Sequence, residues 1–445
     1  MAQLQVNQGN QEIPPGEGGF LLSRVDALKE HPANPRKHSR TQVRAIADSI
    51  RAFGFNGSIV IDGNNRVLAG HGRLEAARLL GLTVVPTICI PHLSDAQARA
   101  YMLADNKLTD RSSWDDNKLA IELKALLDID LDLTEATGFE MAEIDLRIQS
   151  LELSDTDRAD EFKTSASPPV AAIGDIWTLG RHRIHCGSAL DAESYQSMLG
   201  QLKCSVVFTD PPYNVRINGH VRGNGAASHR EFPMASGEMT ESEFQTFLSE
   251  SVALAAANIF EGSLIYAFMD WRGLEPMMAA ARANALEQIN LCVWVKTNGG
   301  MGSFYRSRHE LVFVFRHGKA PHTNNVQLGR FGRNRTNVWN YAGANSFARG
   351  KKSEAFDSHP TVKPIRLVAD ALLDCTKRGD AVLDPFLGSG TTLLAAERTE
   401  RKCFGIELDP VHVETAIRRW ESMTGEIAKN QDGFSLFELK AGAQK

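Results

Sequence analysis

"AVLDPFLGSGTTLLAAER", Ala381 to Arg398, passes from a short apolar strand pattern through a glycine-rich turn into a helical period. Strand, turn and helix in that order form a nucleotide-type loop. Gly388 and Gly390 let backbone approach a ligand, and a helix beginning near Thr391 aims its free N–H groups at whatever lies there. No lysine follows the last glycine, which argues against a triphosphate cradle. About 20 residues on, "KCFGIELDP" ends a second strand with Glu407, an acid placed to accept hydrogen bonds from ribose hydroxyls. Upstream, "TDPPYN", Thr209 to Asn214, follows the apolar run "CSVVF". Pro211 and Pro212 cannot continue a ladder, so the strand stops near Asp210. Asp210 and Tyr213 therefore sit at a strand's carboxyl end, where ligands bind in open α/β sheets.

Organisation follows from the same alternation. "RHRIHC", "CSVVF", "SLIYAF", "LCVWV", "LVFVF", "DAVLD" and "KCFGIEL" are β-type runs separated by helical ones, the mark of a mainly parallel doubly wound sheet. "LELSDTDRADEFKTSASPPV", Leu151 to Val170, is acidic, Ser/Pro-rich and aperiodic, and reads as a linker. Before it, "TQVRAIADSIRAFG" predicts a helix from Val43, Ile46, Ala47 and Ile50, closed by Gly54. "GSIVID" predicts a strand, and "NNRVLAGHGRLEAARLLGLTVVPTICI" turns from strand into helix near Gly70 to Gly72 and ends in another strand. Helices rich in Leu and acids follow, to about Ser150. The expected domains are 20–150, a linker at 151–171, and 172–424.

A chain of 445 residues with 42% hydrophobic and 23% charged residues reads as soluble and globular, with room for two cores. No apolar run is long enough for a membrane span, and the amino terminus has no signal-peptide pattern, so the expected location is the cytoplasm. Six cysteines without paired spacing argue against a disulfide framework and against a metal site. The net charge of -5 hides segregation: from Lys296 to Lys352 there are eleven Lys or Arg against a single acid, Glu310. Aromatics are interleaved at Phe304, Tyr305, Phe331, Trp339, Tyr341 and Phe347, a footprint for a polyanion.

"DPPY" ahead of "DPFLGSGTT" resembles the amino-DNA methyltransferases of the β arrangement, over roughly Ile173 to Trp420 and including "HELVFVF" and "HPTVKP". The resemblance implies a circularly permuted Rossmann-like methyltransferase domain that uses S-adenosyl-L-methionine, with the catalytic half before the cofactor half. It places Asp210, Pro211, Pro212 and Tyr213 in the catalytic role. Asp384, Phe386, Gly388, Gly390, Thr391, Glu407 and Lys363 would hold the cofactor. A target-recognition segment is expected at about 318–357, with Arg330, Arg333 and Arg335 contacting DNA. The family often has Gly-Asp where this chain has Gly187-Ser188.

"NPRKH", "IADSIRAFGF" and "AGHGRLEAARLLG" resemble ParB-like or sulfiredoxin-like domains, α/β modules in which Gly70 to Arg73 would head a helix and bind nucleotide phosphate. Gly72 stands where that family usually has a second basic residue. The resulting expectation is a site-specific DNA methyltransferase acting on the N6 amine of a flipped adenine, as in restriction-modification systems. The alternatives are an N4-cytosine enzyme, or a ParB-like DNA-binding regulator whose methyltransferase half is inactive. Double-stranded DNA is the expected partner, with a nucleotide at the ParB-like domain and a homodimer left open.

Overall fold

The structure is a computed structural model that describes residues 20–109, 114–151, 168–214, 237–296, 305–326, 335–342 and 363–443. It divides into two compact units, Met1–Leu151 and Glu152–Lys445. The expected linker lies largely outside the described residues, as do Arg330, Arg333 and much of the expected target-recognition segment.

In the first unit, the expected helix runs Arg40–Phe53. The Ser39 side chain caps it by accepting from the Gln42 N–H, and Gly54 closes it at φ +81°. Strands β1 (Phe20–Arg24), β2 (Lys29–Glu30), β3 (Ile59–Ile61), β4 (Arg66–Ala69) and β5 (Val84–Cys89) form a mixed sheet in the order β1-β5-β3-β4-β2. From β4 the chain turns through Gly70, at φ +90°, into the helix His71–Leu79. Its Leu74 and Ala77 pack on Ile59, Ile61 and Val67.

The second unit is built on one sheet. Its strands are β6 (Ile176–Leu179), β7 (His182–Cys186), β8 (Cys204–Thr209), β9 (Ile259–Met269), β10 (Glu287–Val295), β11 (His309–Arg316), β12 (Val338–Asn340), β13 (Ala381–Asp384), β14 (Lys402–Glu407) and β15 (Lys429–Asn430). The spatial order is β12-β10-β11-β9-β8-β13-β14-β7-β6-β15. A parallel centre, β7-β14-β13-β8-β9, is flanked by antiparallel β11 and β10 on one side and by antiparallel β6 and β15 on the other, so the sheet is mixed.

The central strands are apolar throughout because both faces are covered, and successive residues serve opposite cores. Val206 and Phe208 pack with the helices Ile365–Cys375, Thr391–Arg398 and Pro410–Thr424. Val207 packs with Ala192–Leu199, Glu241–Ala257 and Leu274–Ala283. The helix Glu241–Ala257 starts in a capping box between Thr240 and Glu243.

The connection from β8 leads through Glu241–Ala257 to β9, while that from β13 leads through Thr391–Arg398 to β14 on the opposite side. The carboxyl ends of adjacent β8 and β13 therefore bound a topological switch point, where a crevice opens in doubly wound sheets. The strand leading to Asp210 precedes the strand carrying the glycine loop, the permuted order that the resemblance implies.

Two differences from the sequence reading have simple causes. "RHRIHC" is the second arm of a hairpin, because β6 pairs antiparallel to β7. The unit also continues past residue 424: β15 pairs with β6, and Ala428 and Leu436 belong to the core.

Gly390 caps the helix Thr391–Arg398 at φ +86°, and a Cβ there would lie 2.7 Å from the Ala416 Cβ. Gly388, at φ +55°, has nothing within 4 Å of such a Cβ. Gly390→Ala is expected to cost about 2–4 kcal/mol and Gly388→Ala about 1–2, since only the first adds overpacking to left-handed strain. Thermal denaturation of the two variants checks this, and equal losses would contradict it.

Candidate active site

Asp210 follows the last residue of β8, where Pro211 and Pro212 end the ladder. Its Oδ1 accepts the Tyr213 hydroxyl at 2.6 Å and its Oδ2 accepts Lys363 Nζ at 2.5 Å. The Tyr213 hydroxyl also reaches Glu310 Oε2 at 3.2 Å, and Lys363 Nζ lies 3.1 Å from the same oxygen. Glu310 Oε1 pairs with Lys296 Nζ. The result is a closed ionic array of two carboxylates and two ammonium groups joined by one phenol. The rings of Phe268 and Trp294 border it, with Lys363 Nζ 5.0 and 5.9 Å from their centroids.

Burial dominates the electrostatics. It pushes the Asp210 carboxyl above the usual carboxylate range; Lys363 opposes the rise and the nearby Glu310 charge adds to it. Glu310 is also buried, yet Lys363 and Lys296 outweigh that burial and hold its carboxyl below the usual range. Burial alone would favour a neutral Lys363, but Asp210 and Glu310 keep its ammonium above the ordinary lysine range. The Tyr213 hydroxyl is raised well above its usual value by burial and the two carboxylates, so it remains a donor.

Asn214 sets the exit of this segment at φ +53°. Its Oδ1 accepts the Gly237 and Met239 N–H groups at 3.0 and 3.3 Å, and its Nδ2 donates to the Met239 carbonyl at 2.9 Å. That side chain ties residue 214 to residues 237–239.

At the end of β13, Asp384 Oδ1 accepts the Phe386 N–H at 3.1 Å. Burial lifts the Asp384 carboxyl from the ordinary 3.8 to about 7; hydrogen bonds from Thr392 and Phe386 oppose this, and the charges of Asp210 and Glu407 add to it. Glu407, at the end of β14, accepts the Gly388 N–H on Oε2 and the Asp409 N–H on Oε1, both at 2.8 Å. His412 Nδ1 stands 3.6 Å from Oε1. Burial opposes ionisation of Glu407, but His412 and the two N–H groups hold its carboxyl below the usual range. Glu407 thus fixes the glycine loop from the neighbouring strand. The Phe386 ring packs on Phe247, and Thr391 is buried at the helix start.

Two of the residues singled out from the resemblance are held by partners within the unit. Lys363, expected at the cofactor, contacts Asp210 and Glu310. Arg335, expected on DNA, is held inside the unit: its Nε lies 2.8 Å from Asp374 Oδ2, its Nη1 donates to the Tyr341 hydroxyl at 2.7 Å, and its guanidinium covers Trp339. Lys296 and Arg316, from the same basic run, pair with Glu310 and Glu287. Part of that run's charge is therefore neutralised within the fold. Glu310 was not singled out from sequence as a site residue; the available signal was a lone acid ahead of the apolar run "LVFVF" inside a basic segment.

The first unit has a cavity of its own, about 590 Å³, lined among others by Arg36, His38, Gly70, His71 and Arg73. Arg73 Nη1 donates to the Ser58 carbonyl at 3.2 Å. Gly72 stands where a Cβ would lie 2.9 Å from Ile46 Cδ1 and 3.2 Å from the His38 ring. A side chain there would have to displace the Ile46 and His38 side chains.

Residues 204–418 match the family model described as DNA methylase. Residues 117–173 match a ParB-methyltransferase HTH domain, which spans the expected linker, and residues 21–107 match a ParB N-terminal domain. Among curated proteins, the type II methyltransferase M2.MboI of Moraxella bovis is 24% identical over 56% of this chain and 90% of its own length. The type II methyltransferase M.HpaI of Haemophilus parainfluenzae is 24% identical over 54% of this chain and 74% of its own length. Among solved structures, the M1.HpyAVI-SAM complex is 22% identical, covering 53% of this chain and 97% of that one, with a TM-score of 0.38.

Because Asp384 holds its proton to about pH 7 when folded but only to 3.8 when unfolded, its contribution to stability is full below 3.8 and is lost as pH rises through 7. Asp384→Asn removes that loss. The melting temperature of the variant relative to the wild type is therefore expected to rise between about pH 5 and pH 8. A difference independent of pH would contradict the assignment.

Proposed function

We propose that this chain, whose residues 204–418 belong to the DNA methylase family behind a ParB N-terminal domain at residues 21–107, methylates the N6 amine of an adenine flipped out of double-stranded DNA. S-adenosyl-L-methionine is the proposed donor. The observation that carries the reading is the Asp210 carboxylate, held by Tyr213 and Lys363 at the carboxyl end of β8, beside the strand that ends in the glycine loop.

The residues at that loop fit the cofactor. Gly388 faces open space where a side chain would stand. Glu407 spends one lone pair of each oxygen on backbone N–H groups and keeps others for ribose hydroxyls. Asp384, Phe386, Gly390 and Thr391 complete the cradle. When bound, S-adenosyl-L-methionine supplies a methyl group activated by an adjacent sulfonium.

This chain's own residues prepare the acceptor. An exocyclic amine is a weak nucleophile because its lone pair is delocalised into the ring. Asp210 accepts one amine hydrogen and the Pro211 carbonyl the other, which turns the lone pair toward the incoming methyl group. Tyr213 offers a ring for stacking and a hydroxyl that orients Asp210. Positioning and electrostatics then carry the rate, with no covalent enzyme intermediate.

Adenine is preferred over cytosine because the first position of the four-residue motif is Asp210, the residue typical of adenine members of the resembled family. In the first unit, a nucleotide is proposed in the cavity at Gly70 to Arg73. The observation favouring it is the convergence of Arg36, His38 and Arg73 on the amino end of the His71–Leu79 helix.

Expressing the full chain in a methylation-free host and identifying the nucleosides of its DNA by mass is expected to show N6-methyladenine. N4-methylcytosine alone would overturn the choice of base. Asp210→Ala is expected to lower methyl transfer by about 10³-fold or more while changing affinity for S-adenosyl-L-methionine less than about threefold, because its contacts form with the base. Parallel loss of cofactor affinity would remove Asp210 from the acceptor side.

A further inference from the structure

Each oxygen of Asp210 already accepts from a donor of the protein itself, Tyr213 on Oδ1 and Lys363 on Oδ2. An amine seeking that carboxylate meets a cation already seated on it. A fixed ammonium there would oppose the positive charge that grows on the amine nitrogen as the methyl group arrives. The same array contains a second seat. Glu310 Oε2 is 3.1 Å from the same Nζ and 3.2 Å from the Tyr213 hydroxyl, so each donor on Asp210 has an alternative acceptor within reach.

Glu310 is built to wait. It is buried on β11 among apolar neighbours, and its other oxygen is tied to Lys296. The rings of Phe268, Tyr213 and Trp294 lie 5.0, 5.7 and 5.9 Å from Lys363 Nζ, and their faces keep the cation stabilised between the two carboxylates. Pro364 follows Lys363 and begins the helix Ile365–Cys375, so the backbone is fixed and only the side chain needs to move.

We propose that Lys363 is shared between two carboxylates, pairing with Asp210 until the amine of a target base arrives and then passing to Glu310, which makes Glu310 a positioning residue for methyl transfer. The inference rests on the function proposed above. No bond to carbon changes in this step: Lys363 stays protonated and exchanges one carboxylate acceptor for the other.

The test is single-turnover methyl transfer by the full chain into DNA from a methylation-free host, with S-adenosyl-L-methionine affinity measured in parallel. Glu310→Gln strands Lys363 on Asp210, and transfer is expected to slow about tenfold or more at unchanged cofactor affinity. Adding Lys363→Met to that variant frees Asp210 and is expected to raise the rate several-fold above Glu310→Gln alone. A wild-type rate for Glu310→Gln, or a double variant no faster than it, overturns the proposal. Should Glu310→Gln fail to fold, Lys363→Arg takes its place: a planar fork bridging both carboxylates cannot leave Asp210, so slower transfer is expected and an unchanged rate overturns the proposal. A wild-type chain that methylates no DNA overturns the functional reading and this inference together, whereas an active wild type with additive variants overturns this inference alone.

Discussion

Lys363 is a buried ammonium whose counter-charges are Asp210, just past the end of β8, and Glu310 on β11, residues 153 and 53 positions away in the chain. Removing one partner of such a pair leaves an uncompensated charge at a cost of roughly 3–5 kcal/mol, so the array constrains everything that brings these segments together. The two prolines after Asp210 stop β8 where its carboxylate meets Nζ. Pro364 anchors Lys363 at the head of a helix that packs under the same strand. Glu310 reaches the array because β11 runs antiparallel beside β9, which in turn lies beside β8. Burial that would be costly for any one of these groups is tolerated because each supplies the counter-charge of another.

The two halves of the crevice use opposite devices. On the β8 side, side chains hold side chains, and the Asp210 carboxylate is held by a phenol and an ammonium. On the β13 side, side chains hold backbone: Glu407 grips the Gly388 N–H and Asp384 grips the Phe386 N–H, so the glycine loop keeps its form while exposing backbone to a ligand. Asp384 stands between them electrically, since the charges of both Asp210 and Glu407 disfavour its ionisation.

What could be read from the sequence was whatever a local rule encodes. Prolines ending an apolar run located Asp210, glycines before a helical period located the loop, and short continuous apolar runs located the central strands. Non-local partners were not legible. Glu310 looked like a stray acid because its meaning lies in Lys363 and Lys296, brought to it by sheet order. Arg335 looked like a nucleic-acid contact because a charge count along the chain does not see Asp370 and Asp374, carried by a helix that begins 30 residues later. The strands β6, β12 and β15 are two to four residues long and carry too little pattern to register alone.

The central claim is that Asp210 receives an exocyclic amine and gives up Lys363 to do so. The most direct measurement is a crystal structure of the full chain with a non-reactive cofactor analogue and a duplex bearing the target sequence found by modification mapping, compared with the same chain without DNA. The expected result is an extrahelical adenine whose N6 lies within hydrogen-bond distance of Asp210 and the Pro211 carbonyl, with Lys363 Nζ bonded to Glu310 alone. Lys363 still seated on Asp210 beside a bound target base, or a base amine that contacts neither Asp210 nor the Pro211 carbonyl, would contradict it.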